Sequence, residues 1–166
     1  MLPRRVAGGR SRPAGRARAR SYNRGVSRYY SIDDANALVP DLEVVVGRLR
    51  AQRDELITLR DAYQGHARSE DEPDGPSDDP ELRRLRLRMR GIVDQMQADV
   101  VWLDDRSITL RDIPSGLLDF PALVSGRQVW LCWRLGEDDV AFWHAHDEGF
   151  AGRRPLANLP DTPARA

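Results

Sequence analysis

The chain predicts an α+β fold, a long antiparallel αα-hairpin packed on a three- to four-stranded antiparallel β-meander. Three observations carry this. Apolar residues recur at alternating spacings of three and four from Leu42 to Tyr63, and again from Leu82 to Leu103, the period of a helix with one buried face. The stretch between these two seams suits neither helix nor strand interior. After Asp104-Asp105 the period becomes alternating, and the residues turn rich in Val, Trp and Phe.

The helical half opens at Ser31, followed by Ile32-Asp33-Asp34-Ala35-Asn36-Ala37-Leu38. A serine hydroxyl can accept an orphan N–H, and acids in the first turn suit the helix dipole. Pro40 ends or kinks this short helix and can sit in the first turn of the next. The first long seam is Leu42, Val45, Leu49, Leu56, Leu59 and Tyr63, with Gln52 as a polar insertion. The second is Leu82, Leu85, Met89, Ile92, Met96 and Leu103, with Asp99 as its polar insertion. These are coiled-coil heptads. Antiparallel pairing sets Leu42 near Leu103 and Tyr63 near Leu82. The joining segment, Ser69 to Pro80, holds six acids and three prolines and is expected to be a solvated, disordered loop. Arg83, Arg84, Arg86, Arg88 and Arg90 follow it, placed to neutralise it.

The strands are expected at Ser107–Arg111, Leu117–Ala122, Gln128–Leu135 and Val140–His146. Pro121 marks an edge or a bulge. Ser125-Gly126 is a turn, and Gly136 to Asp139 reads as a four-residue hairpin loop. That loop length sets Leu135 opposite Val140, Trp133 opposite Phe142, and Leu131 opposite His144. His144 then lies on the more apolar face.

The chain has 166 residues and no net charge, yet the charge is unevenly distributed. All 26 basic residues are arginine, as GC-rich bacterial coding would give. Residues 1–28 carry nine arginines and no acid, leaving 17 arginines against 26 acids elsewhere. An acidic body repels phosphate backbones, so nucleic-acid association is expected only through this Arg-rich tail. The tail has almost no apolar anchors and is expected to be disordered. Val26 is a candidate GTG start, so a mis-called start would account for the tail. The expected domain is residues 29–159, with 160–166 a disordered C-terminus. One cysteine makes no internal disulfide. No apolar run approaches a membrane span, and no secretion signal is present, so a cytoplasmic protein is expected.

Chemistry concentrates between Gly116 and Leu156, with three of the four tryptophans, Cys132, His144 and His146. His144-x-His146 resembles half of a metal site, but no third ligand stands at motif spacing, so no metal or other cofactor is expected. A buried His144 needs a partner, and Asp119 in GLLDFPA supplies one. An Asp–His pair can also serve as a base. Cys132 beside tryptophan reads as a small hydrophobe rather than a nucleophile. The glycines around Phe150 followed by Arg153-Arg154 suit either an anion cradle or a turn pairing with Asp147 or Glu148.

With these residues in view, the chain resembles the family known as domain of unknown function 2203. The resemblance is carried by YSIDDANALVP (Tyr30 to Pro40) and by GLLDFPA (Gly116 to Ala122). It continues in LCWRLGE (Leu131 to Glu137), in Phe142-Trp143-His144 and in GFAGR (Gly149 to Arg153). It covers about residues 30–157 and excludes the tail. It implies a compact cytoplasmic protein and makes Asp119, Trp133, Arg134, His144 and Arg153 first choices for a shared site, with Glu148 beside them. The expected function is a non-enzymatic binding or interaction module with a Trp/His/Arg-lined site on the C-terminal hairpin and no assigned catalytic residue. The alternative is a small-ligand protein or enzyme using Asp119, His144 and arginines on an anionic substrate. Partners are an unknown protein or a small anionic ligand. The exposed heptad edges leave homodimerisation open.

Overall fold

A computed structural model describes residues 28–69 and 79–160. The expected disordered segments at 1–28, 69–80 and 160–166 fall almost wholly outside these. Their described ends are ordered parts of elements: Ser69 closes a helix, Asp79 caps the next and Pro80 begins it.

Helix α1 (Ile32–Asn36) starts in a capping box. Ser31 accepts from the Asp34 N–H, and the Asp34 carboxylate reaches back to Ser31. Helix α2 (Val39–Ser69) takes Pro40 in its first turn, where a missing N–H costs nothing. Helix α3 (Pro80–Asp104) returns antiparallel to it. The polar insertions of the seams find partners across the hairpin. Gln52 Nε2 donates to Gln95 Oε1 at 3.0 Å. Arg48 grips Asp99 with Nε at 2.8 Å and Nη2 at 2.5 Å. Arg88 meets Glu55 at 2.7 Å.

The sheet is a five-stranded antiparallel meander in sequence order. Its strands are β1 (Thr109–Asp112), β2 (Leu117–Val124), β3 (Arg127–Arg134), β4 (Phe142–Ala145) and β5 (Arg154–Pro155). The expected three or four strands thus gain a fifth, a two-residue strand on β4. Ser125 and Gly126 both have positive φ, +48° and +76°, as a tight β2–β3 hairpin with right-handed strand twist requires. Pro121 sits where β2 has lost β1 as a neighbour. There the Tyr30 N–H donates to the Pro121 carbonyl at 2.8 Å, and the missing proline donor leaves no gap in the ladder.

The β3–β4 connection differs from expectation. It runs over residues 135–141 rather than four residues, because its turn is built by hydrogen bonds instead of a minimal hairpin. The Trp133 indole donates to the Glu137 carbonyl, and the Glu137 N–H donates to the Arg134 carbonyl. Val140 then dives into the core, its N–H held by Asn36 Oδ1 of α1 at 2.8 Å. Pairing resumes with Cys132 opposite Phe142, Leu131 opposite Trp143, Trp130 opposite His144 and Val129 opposite Ala145. The register is one residue away from expectation, and a one-residue slip exchanges the faces. Trp143 enters the core, while His144 moves to the opposite face beside Trp130 and Cys132.

The core lies between the first half of the hairpin and one sheet face. Leu42, Val46 and Leu49 of α2 and Leu103 of α3 meet Leu118, Phe120, Leu131 and Trp133. Trp133 is 0% exposed. Tyr30 closes the open end, edge-on to Phe120 with its hydroxyl on the Arg106 carbonyl. Ile92 and Leu82, further along α3, are buried outside this cluster.

Candidate functional site

The second sheet face, turned away from the helices, holds a line of paired ionisable groups. Asp119 on β2 stands opposite Cys132 on β3, and His144 on β4 opposite Trp130. His144 Nε2 lies 3.0 Å from Asp119 Oδ2, and both side chains are buried, at 3% and 2% exposure. Its other nitrogen, Nδ1, lies 2.9 Å from the Ala145 carbonyl. Both ring nitrogens therefore face protein oxygens at hydrogen-bond distance.

The same Asp119 oxygen accepts from Arg111 Nε at 2.6 Å. Arg111 comes from a bulge: Leu110 pairs with Leu118 and Asp112 with Leu117, leaving Arg111 as the extra residue. A bulge re-aims the side chain it carries. The guanidinium carbon lies 5.0 Å over the Trp130 ring, and Trp130 stacks on His146 at 5.6 Å between centroids. Asp119 Oδ1 is buried and meets no N–H or O–H donor among the described residues. The Cys132 thiol, a weak donor, leans on the same carboxylate. Burial, and then the Asp119 charge, push that thiol up to about 12.

These groups line a cleft of about 260 Å³. Arg111, Asp119, Cys132 and His144 form the sheet side; His146, Asp147, Glu148 and Gly149 form the wall after β4. Glu148 is held in place, Oε1 by Arg154 at 2.6 Å and Oε2 by the Ala145 N–H at 3.3 Å.

The six expected site residues therefore divide. Asp119, His144 and Glu148 line the cleft. Trp133 is on the core face. Arg134 is exposed and lies 3.9 Å from Glu137. Arg153 pairs with Glu137 at 2.5 Å and packs 3.9 Å over the Phe142 ring, so it secures the β3–β4 loop. Arg111 is the cleft residue that the sequence did not mark. Its only signal was its place as the last residue of a short strand candidate. Among the described residues, no group of three or more His, Cys, Asp or Glu is arranged to hold a metal ion.

Fold and site define a small α+β protein, a helical hairpin on an antiparallel meander, with an ion-paired cleft on the sheet's outer face. The chain belongs to a family described as uncharacterized conserved protein (DUF2203), whose model matches residues 28–156. No curated protein and no solved structure matches it. Among the described residues, no helix is long and apolar enough to cross a membrane.

Proposed function

We propose that the protein is a non-catalytic binding module whose site is the outer-face cleft between β1–β4 and the Asp147–Gly149 wall. The observation that carries this is the commitment of His144. A general base needs one ring nitrogen open to substrate, and here one nitrogen faces Asp119 and the other the Ala145 carbonyl, in a ring 3% exposed. Cys132, with its thiol pushed up to about 12, supplies no nucleophile. What remains is recognition: a positioned guanidinium, the His146 imidazole and carboxylates around a concave space.

The test is protein-observed NMR of the full chain against a chemically diverse fragment library. Binding should perturb the amides of Arg111, His146 and Gly149 together, and Arg111→Gln should weaken it. If no fragment perturbs these positions, the cleft is structural and the proposal fails. Turnover of any bound fragment would also count against it.

A further inference from the structure

We infer that the cleft takes a small carboxylate bearing a hydrogen-bond donor at its other end, a molecule with the size and charge pattern of a free amino acid or hydroxy acid. The inference rests on the binding reading above and deepens it.

Arg111 sets the carboxylate end. Its Nε is spent on Asp119, which is itself fixed by His144, and its plane lies over Trp130. One edge and one face of the guanidinium are thereby held, although the side chain is 40% exposed. Its two Nη nitrogens have no protein partner among the described residues. A guanidinium presents such an edge as a fork that matches two oxygens of one group. Holding the fork in place beforehand removes much of the ordering cost of binding.

The far wall sets the other end. Asp147 makes no hydrogen bond or ion pair among the described residues, and Glu148 brings a second carboxylate to the same wall. Asp119 Oδ1 adds a buried acceptor that no N–H or O–H among the described residues reaches. Acceptors alone ask for N–H or O–H groups. They also repel a second negative charge, which disfavours a phosphate dianion. Asp119 is paired with Arg111 and Glu148 with Arg154, so among the described carboxylates of the cleft Asp147 is the one without an ion pair, and it calls for the donor end of the ligand. A cleft of about 260 Å³ suits a molecule of this size rather than a nucleotide or a peptide.

The experiment titrates the full-length chain with four compounds under one buffer: L-alanine, acetate, ethylammonium and inorganic phosphate. The expected result is that alanine binds at least about tenfold tighter than acetate or ethylammonium. Arg111→Lys should reduce alanine affinity by about tenfold, since a point charge cannot replace the fork. Asp147→Asn should weaken alanine and leave acetate unchanged, and that variant sits on an exposed wall outside the core. Tightest binding by phosphate, or alanine no better than acetate, overturns the ligand class while the binding module stands. No binding by any of the four, with no hit in the wider fragment library, overturns both.

Discussion

Replacing Asp119 by alanine removes the one group that both Arg111 and His144 hold. The carboxylate is 2% exposed and accepts from Arg111 Nε at 2.6 Å, with His144 Nε2 at 3.0 Å. The two partners are stranded unequally. Arg111, with a side chain 40% exposed, can turn to water at little cost. His144 cannot, being 3% exposed. Breaking a buried pair from one side costs about 3–5 kcal/mol, and with one partner recoverable the lower end, about 3 kcal/mol, is expected. For a domain of this size that is about 10 °C in Tm. Urea unfolding followed by tryptophan fluorescence would measure it for Asp119→Ala, His144→Ala and the double variant. The coupling between the two positions should be about 1–3 kcal/mol. A loss below about 1 kcal/mol for Asp119→Ala, or strict additivity in the double variant, would refute the claim that these side chains act as one buried unit.

Gly116 immediately precedes β2 with φ at +67°, and a Cβ there would stand 2.5 Å from Leu135 Cβ and 2.8 Å from Val46 Cγ1. Gly116→Ala should therefore cost about 2–4 kcal/mol through strain and overlap, read as a lowered urea midpoint; an unchanged midpoint contradicts this packing of the sheet on α2. Cys132, with its thiol pushed up to about 12, should label with a disulfide reagent at pH 8 slower in the native state than in urea by on the order of a thousandfold. That native rate should climb with pH, and rapid labelling at pH 8 would contradict the burial. Asp34, Asp79 and Asp112 are held below the ordinary value of 3.8 chiefly by the Ser31 hydroxyl, the Glu81 N–H and the Ser115 hydroxyl respectively. Lowered carboxylates stabilise fully above that value and lose their contribution as pH falls through the lower native values. The urea midpoint should drop between about pH 4 and pH 2, and Asp112→Asn should flatten the drop. Leucine at both Gln52 and Gln95 removes a buried Gln52 Oε1 that has no partner among the described residues; stability should rise by about 1 kcal/mol while light scattering detects association, since a polar insertion holds a helical pair to one register and one partner.

The helical hairpin was legible because its signal is local and redundant. Each seam residue repeats the same three-or-four spacing, and Ser31, Pro40 and Pro80 punctuate the ends by mechanisms that act within one turn. The cross-helix bonds from Arg48 to Asp99 and from Gln52 to Gln95 fit the expected neighbours Leu42 with Leu103 and Tyr63 with Leu82. The sheet was legible in its strands and not in its last register. A hairpin register hangs on loop length, and loop length here depends on contacts distant in sequence. Asn36 of α1 captures the Val140 N–H, and Arg153 secures Glu137. Neither can be read from Gly136-Glu137-Asp138-Asp139 alone. The two-residue β5 exists only because the chain after β4 folds back beside it, and so short a strand leaves no alternation to detect.

The site divides along the same line. Asp119 with His144 followed from chemistry, since a buried imidazole needs a partner and GLLDFPA offers one carboxylate within a strand. Arg111 was hidden because a bulge breaks the alternation that assigns faces. Arg134 and Arg153 looked equally suited to a site, yet Glu137 draws both toward the loop. A face turned away from the core could be built from threonine and valine at no ionic cost. Here it carries a buried carboxylate and a buried imidazole, an arrangement that apolar residues of similar volume would often match or improve in stability. The two buried groups hold the Arg111 guanidinium by its Nε beside the cleft, and its remaining nitrogens have no protein partner among the described residues. Stability alone gives no reason to build such a mount, whereas binding in the cleft needs one.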